Sequence, residues 1–219
     1  MNRRTQPHPA QLGFDALLAD TDAINRERTE EAAHAHLPGT MEEALPYYRR
    51  LIGAHHAAML AGDVGEVSRL RGEAHDLAYK LNGFEPGILA DKDAPGYVLA
   101  RLTQAAEGEV PLWGQAGSFE VRYKSMRVRI DMEGLFGIGA TSMSWLGFSA
   151  HAVEENKPFL SETGYRSFLD VGGALVPGYT PDTFALGIVE AHVQKALKGK
   201  LVRIVLITAR YAPCPSDDK

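Results

Sequence analysis

Cysteine is nearly absent from this sequence, and its absence excludes a disulfide framework. The 219 residues contain one cysteine, Cys214, so no disulfide can form within the chain. This usage is typical of proteins that fold in a reducing compartment, and we expect a cytoplasmic protein. Cys214 lies between two prolines in a polar segment near the end of the sequence. A reactive thiol needs a positioned, electropositive setting, so we expect no catalytic role for Cys214.

Long apolar runs and an excess of basic residues are also missing. No stretch approaches the roughly 18 consecutive apolar residues of a membrane helix. Arg3 and Arg4 are not followed by an apolar segment of signal-peptide length, so we expect neither a signal peptide nor a membrane partner. The net charge is −5 and the pI about 5.9. Nucleic acid is therefore a disfavoured partner, because such binding depends on basic side chains that displace counterions.

The hydrophobic pattern divides the chain into a helical part and a sheet-containing part. Hydrophobic content of 45% and charged content of 23% are those of an ordinary globular protein, and the length allows a substantial core. We predict the following segments: a loose arm over 1–11, a helical region over 12–83 whose first helix covers about 12–35, a connector with a short helix over 84–117, a sheet-containing region over 118–211, and a loose tail over 212–219.

Two amphipathic helices are predicted to form a hairpin in the helical region. Thr40 and Glu43 have the spacing of a capping box, although Pro46 leaves open a start at Leu45-Pro46. Gly62-Asp63 separates the two helices, and Asn82-Gly83 ends the second. Because the connection is so short, we expect the helices to pack antiparallel.

The clearest strand pattern is a β-hairpin that begins at Ser118. Apolar and charged residues alternate on both sides of Lys124-Ser125, so each strand has one apolar and one charged face. A two-residue turn there pairs Phe119 with Ile130 and places Glu120 opposite Arg129. Further strands are predicted over 135–148, 165–171 and 201–209, and a last helix over 181–198 that begins with Thr180 as its cap.

A glycine-spaced segment is the first candidate for chemistry. Gly137, Gly139, Thr141 and Ser142 offer backbone amides and hydroxyls to an anion, and Arg166 adds a cation to this candidate ligand-binding set. Neither phosphate-loop pattern, G-x-x-x-x-G-K-[ST] or G-x-G-x-x-G, is present. The alternative is a buried strand that glycines bend.

Histidines on the helical hairpin are the second candidate. The hairpin geometry places His75 and Asp76 within about one turn of His55, so these three side chains form a candidate metal site. No H-E-x-x-H motif is present, and metal sites in helical bundles usually draw on more carboxylates. The alternative is a partly buried His55 and an exposed His75.

A polar, turn-rich segment beside the sheet is the third candidate. His151, Glu154, Glu162 and Tyr165 include side chains that act as general acids and bases near neutral pH. The G-x-S-x-G nucleophile motif is absent. The alternative is a hydrogen-bonded loop in which Glu162 pairs with Arg166.

These patterns predict an α+β fold and leave three functions open. We expect an N-terminal helical hairpin with an extra helix, then a mainly antiparallel sheet of about four to six strands with a C-terminal helix on one face. The first hypothesis is a non-catalytic cytosolic binding or accessory protein that holds a protein partner or small ligand. The alternatives are a small hydrolase-like enzyme with its site in 142–166 and a metal-binding helical hairpin. No motif indicates a particular cofactor or oligomeric state.

Overall fold

The structure is a computed structural model, and it describes residues 18, 21–22, 24–25, 28–137, 147–169, 171 and 176–205. The described residues between 18 and 33 are helical, as the N-terminal periodicity predicts. The fold is α+β: helices come first, a four-stranded antiparallel sheet follows, and a helix near the C-terminus packs on the sheet.

Two long helices form the predicted hairpin. Helix α1 covers Met41–Ala61 and helix α2 covers Val64–Leu81. The Thr40 side chain accepts a hydrogen bond from the backbone of Glu43, so the helix begins at the capping threonine and continues through Pro46. The later start at Leu45-Pro46 is therefore wrong. The helices pack through a shared apolar core that includes Tyr48, Leu51, Ile52, Leu70, Ala74, Leu77 and Ala78.

A short helix and an irregular segment connect the hairpin to the sheet. Helix α3 covers Pro95–Leu102, and the chain then passes through Trp113 and Gly114 into the first strand. Trp113 is 2% exposed and belongs to the core of the sheet. Its indole N–H donates to the carbonyl of Tyr179 at 2.8 Å. The domain boundary predicted within 84–117 stays a prediction.

The sheet is an antiparallel meander of four strands. The strands are β1 Ala116–Tyr123, β2 Met126–Glu133, β3 Phe148–Ala152 and β4 Tyr165–Phe168, in the spatial order β1-β2-β3-β4. Phe119 lies opposite Ile130 and Tyr123 opposite Met126, which confirms the predicted register. Glu120 lies opposite Arg129, but its ion pair is with the diagonal neighbour Arg127, at 2.8 Å.

The two faces of the sheet have different roles. One face carries the alternating apolar residues and packs against helix α4, Pro181–Lys195. Phe184, Val189 and Val193 of α4 join this core, so the helix predicted to cover the sheet does so and ends three residues before the predicted end. The other face is polar. On this face, residues that lie next to one another across the four strands form rows. One row is Ser118, Asp131, Ser149 and Ser167, and the next is Glu120, Arg129, His151 and Tyr165.

Two of the predicted strands, over 135–148 and 201–209, differ from the structure in their described residues. Residues Gly134–Phe136 form a 3₁₀ turn, because Leu135 and Phe136 bury their side chains in the core of the helical hairpin. Residues 201–205 contribute an isolated bridge between Val202 and Phe159 and no strand of the sheet. Val205 is 57% exposed, so this apolar run is not a buried strand in its described part.

Membrane-spanning helices are not found in the parts of the chain that the structure describes. No helix there combines the necessary length with the necessary apolar character.

Candidate functional site

A cavity of about 150 Å³ lies between the helical hairpin and one end of the sheet. Side chains from both parts of the fold meet there, together with the segment that leads from Trp113 into β1. The polar lining side chains include His55, Arg71, Gln115, Glu133, Ser149, Tyr165 and Ser167. The cavity is therefore where the two halves of the chain present polar groups to a common space.

His55 forms the buried part of the hairpin wall. It is 1% exposed, and its Nδ1 lies 3.0 Å from the backbone carbonyl of Trp113. A carbonyl accepts hydrogen bonds only, so Nδ1 carries the proton and donates it. Burial lowers the pKa of His55 to about 4, and the nearby Arg71 acts in the same direction. His55 is therefore neutral near pH 7, with an unprotonated Nε2.

The next residue, His56, binds the backbone amide of the same tryptophan. The backbone N–H of Trp113 donates to Nδ1 of His56 at 3.1 Å. His55 and His56 thus hold the carbonyl and the amide of one residue, and in their neutral forms they do so as opposite tautomers. This clamp positions the segment beside the cavity and fixes the direction of the His55 ring.

Arg71 adds a half-buried cation from helix α2. Burial lowers the pKa of its guanidinium, and Arg71 forms no ion pair with a described carboxylate. Its Nε and the Nε2 of His55 are both buried without a hydrogen-bond partner. Glu133 also lines the cavity and has an interaction of its own. The hairpin wall therefore presents two polar atoms whose hydrogen-bonding capacity is unused.

The sheet wall of the cavity continues into a hydrogen-bonded row on the polar face. The Tyr165 hydroxyl lies 3.3 Å from Ser149 Oγ, and its ring lies 5.0 Å from the His151 ring. His151 Nε2 contacts Asp131 Oδ2 at 3.0 Å, and Ser118 Oγ donates to Asp131 Oδ1 at 2.6 Å. Four neighbouring strands thus contribute two hydrogen-bonded groups, which meet at the ring contact between Tyr165 and His151.

The predicted catalytic residues are only partly brought together. His151 and Tyr165 are directly opposite each other on β3 and β4. Glu154 instead pairs with Lys157 at 2.8 Å, and this contact lowers the pKa of Glu154. Glu162 lies in an exposed turn before β4. The catalytic prediction for this set stays a prediction, although the two glutamates do not join the network of His151.

The predicted ligand-binding residues are divided between the cavity and other places. Gly137 lines the cavity, and a Cβ at that position would lie 2.3 Å from the Cβ of Glu133. Arg166 points along the apolar face, with its guanidinium 5.9 Å from the Phe168 ring. The remaining members of the predicted set, Gly139, Thr141 and Ser142, lie outside the described residues.

The three candidate metal ligands have separate surroundings. His55 faces Trp113, the His75 ring packs 5.4 Å from the Phe136 ring, and Asp76 lies 3.8 Å from His34 Nε2. Within the described part of the chain, no group of three His, Cys, Asp or Glu side chains could hold a metal ion. The geometry therefore gives no support to the predicted site, because each side chain is directed to a different neighbour.

Sequence reasoning missed Arg71, Ser118 and Asp131. Arg71 follows Leu70 and comes four residues after Val67, so it lies on the apolar side of α2, and a cation at that spacing was an available signal. The predicted β-hairpin register also places Ser118 opposite Asp131, as observed. The contact of His151 with Asp131 had no such signal, because it depends on how β3 pairs with β2 across a long connection.

Comparisons with known proteins find similarity to curated proteins of Escherichia coli. One, named Protein KlcB, is 32% identical over 213 residues, which are 96% of this chain and 47% of that protein. A second protein with the same name is 38% identical over 139 residues, which are 63% of this chain and 28% of that protein. The chain thus spans about half the length of the first relative and less of the second.

No family model matches the chain, and no solved structure matches it.

Proposed function

We propose that this chain is a non-catalytic binding protein that holds a small ligand in the cavity between the helical hairpin and the sheet. The observation that carries this proposal is the pair of unpartnered buried atoms, His55 Nε2 and Arg71 Nε. Buried polar atoms in folded proteins are nearly always hydrogen-bonded. An unpaired one costs about 1–3 kcal/mol, and a bound ligand that pairs with both atoms removes that cost.

The size of the cavity limits what can enter it. Sites for drug-sized ligands usually measure roughly 300–1,000 Å³, whereas this cavity measures about 150 Å³. The space fits a polar group of a few heavy atoms. The ligand is therefore either a very small molecule or a larger one that inserts one polar end.

A protein partner on the helical hairpin is less well supported. Such a partner would need a contiguous exposed apolar patch of at least a few hundred Å². Across the described residues of α1 and α2, Val64 is the only large apolar side chain that is mostly exposed, at 74%. An isolated exposed apolar residue is ordinary for a folded protein, so the small-ligand alternative is preferred.

The proposal is tested by saturation-transfer NMR with small polar probes, namely acetamide, acetate, glycolate, lactate, imidazole and glycerol. Ser167 lines the cavity, so Ser167→Leu should narrow it and reduce the signal of bound probes. Arg122→Leu places the same side chain on the polar face outside the cavity lining and should leave the signal unchanged. Absence of signal for every probe in the wild-type chain, or equal signals in both variants, contradicts the proposal.

A second candidate function rests on the polar network of the sheet. Ser118, Asp131 and His151 are the residue types of a hydrolytic triad, but Asp131 lies between the other two. In a working triad the histidine must contact the serine in order to take its proton. Here the hydroxyl of Ser118 donates to the carboxylate instead. This order favours a structural or binding role for the network over nucleophilic catalysis.

The hydrolase alternative is tested with p-nitrophenyl acetate, a small activated ester. An enzyme that uses this network should lose most of its hydrolysis above background in Ser118→Ala and in His151→Gln. We expect no difference between these variants and the wild-type chain. A loss of about 100-fold or more in both variants, the usual contribution of a general base, would support the enzyme over the binding protein.

A further inference from the structure

His55 presents an acceptor, and not a donor, to the cavity. Its Nδ1 is committed as a donor to the Trp113 carbonyl, and a neutral imidazole has a single N–H. Nε2 therefore carries a lone pair, and it is buried without a partner. Whatever fills the space beside Nε2 must bring an N–H or an O–H if the lone pair is to be satisfied.

Arg71 imposes the opposite requirement on the same space. Its Nε carries a hydrogen in every accessible protonation state, and this atom is also buried without a partner. A group that satisfies Arg71 must therefore bring a hydrogen-bond acceptor. Both residues line the same cavity, so one small ligand bound there can face both.

We propose that the cavity selects a polar group that carries a hydrogen-bond acceptor next to an N–H or O–H donor, as a carboxamide or an α-hydroxy acid does. The acceptor faces Arg71 and the donor faces His55 Nε2. This inference rests on the proposed binding function and specifies its ligand class. A bare oxyanion satisfies Arg71 but places a second lone pair against that of His55, so acetate and sulfate are disfavoured.

The other lining groups do not reverse this selection. Ser149, Ser167 and the Tyr165 hydroxyl can each donate or accept, so they accommodate either kind of ligand. Glu133 has an interaction of its own and is assigned no part in the selection. A water molecule also combines a donor with an acceptor, and it is the competing occupant that an experiment must separate from a ligand.

The decisive measurement compares probes of matched shape on the wild-type chain. Acetamide and acetate differ by one donor group, and lactate differs from propionate by one hydroxyl. We expect acetamide to bind roughly tenfold more tightly than acetate, and lactate more tightly than propionate, by NMR titration at pH 7. Long-range ¹H–¹⁵N correlation spectra of the His55 ring should show that Nε2 accepts a hydrogen bond when acetamide binds.

A matched variant separates the role of His55 from the folding of the site. The amide nitrogen of His55→Asn can still donate to the Trp113 carbonyl, but this variant has no atom in the place of Nε2. It should bind acetamide and acetate with similar affinities, while Gly53→Ala on the exposed side of the same helix keeps the tenfold preference.

The outcomes distinguish this inference from the function on which it rests. Acetate that binds the wild-type chain as tightly as acetamide overturns the selection rule and leaves the binding function standing. Failure of every probe to bind overturns both. A crystal structure soaked in acetamide that shows only an ordered water between His55 and Arg71 also overturns the proposed ligand class.

Discussion

The environment of His55 shows how one buried side chain serves two parts of the molecule. Its Nδ1 fixes the segment that carries Trp113, and its Nε2 is buried without a partner in a residue that lines the cavity. The first contact holds the ring in its buried position, where the loss of solvation keeps it uncharged. The second provides the unused hydrogen-bonding capacity on which binding is proposed. Substitutions of His55 therefore test stability and binding separately only if they keep the contact with Trp113.

Stability should fall as the pH is lowered, and His55 should account for a large part of the change. The folded-state pKa of His55 is about 4, below the ordinary value near 6.5, so the unfolded chain takes up the proton first. The stabilisation is complete above about pH 6.5, and about 3 kcal/mol is lost as the pH falls to about 4. Burial also lowers the pKa values of His56, His75 and His192, which acts in the same direction.

The measurement is urea unfolding at pH 7 and pH 4.5. We expect His55→Asn to lose less stability between these pH values than the wild-type chain does, because the titrating group is absent. His36→Asn, which changes an exposed histidine, is the matched control and should keep the wild-type difference. Equal pH dependence in His55→Asn and the wild-type chain would show that His55 is not the buried titrating group.

Much of this residue-scale detail lay beyond the sequence. His55 falls at helical spacing from the buried Leu51, Ile52 and Met59, so its burial is readable from the helical period. Its partner Trp113 is 58 positions away, and no local pattern connects two such residues. The place of Arg71 among the apolar positions of α2 could be predicted from the sequence. That it forms no ion pair with a described carboxylate depends on the folded arrangement.

The two helices of the hairpin begin with side-chain caps, and their turn is built from Gly62 and Asp63. Gly62 has a φ of 71°, which a side chain disfavours. Asp63 caps the second helix by accepting a hydrogen bond from the backbone of Glu66 at 3.0 Å. A negative charge at that end also interacts favourably with the helix dipole. Together these residues fix where α1 ends and where α2 begins.

Removing the Asp63 cap should destabilise the chain measurably. Asp63→Ala removes the acceptor for the Glu66 amide and should cost about 1 kcal/mol. Asp63→Asn keeps an acceptor oxygen and should cost clearly less. Urea unfolding at pH 7 measures both values. Equal losses in the two variants would mean that the charge of Asp63, and not its hydrogen bond, accounts for its contribution.

Element-scale prediction succeeded where two signals agreed. The register of β1 and β2 followed from the apolar alternation together with the short turn at Lys124, whose φ is 55°. The strand predicted to include residues 201–205 was wrong. An apolar, β-branched run indicates an extended backbone, but it does not determine which strand, if any, pairs with it. The strand predicted from Leu135 onward was wrong at Gly134–Phe136. These residues join the core of the helical hairpin, which lies far away in the sequence.

At the scale of the whole molecule, the hairpin turn contacts the segment that enters α4. The backbone N–H of Gly178 donates to the carbonyl of Leu60 at 2.8 Å. A Cβ at Gly62 would lie 2.8 Å from Cγ of Pro177, so the two segments touch as closely as a glycine permits. This contact and the Trp113 clamp are two of the places where the helical part meets the sheet part.

A pair of glycine substitutions measures how much the first of these contacts matters. Gly83 has a φ of 67°, close to that of Gly62, but a Cβ there meets nothing within 4 Å. Gly83→Ala should therefore cost about 1–2 kcal/mol from backbone strain alone. Gly62→Ala should cost at least about 1 kcal/mol more, because Pro177 must also move. If thermal or urea unfolding shows equal losses of stability in the two variants, the segment at Pro177 moves aside without an energetic cost.

The overall α+β arrangement was predictable, but the position of the cavity was not. Periodicity identified the hairpin, the sheet and the helix that covers its apolar face, since each depends on local patterning. The cavity depends on how the hairpin docks beside the polar face, through residues such as Leu135 and Trp113. Gly137, His55 and Tyr165 were each assigned to a different candidate site, and all three line one space.

The meander order of the sheet has a consequence for how quickly the chain folds. Each strand pairs with the strand before it in the chain, and α1 pairs with α2. Contacts that are local in sequence close small loops and favour fast folding. The docking of α4 on β1 and the contact of Gly178 with Leu60 close much longer loops. We therefore expect α4 to join late, so that weakening its contacts accelerates unfolding more than it slows folding.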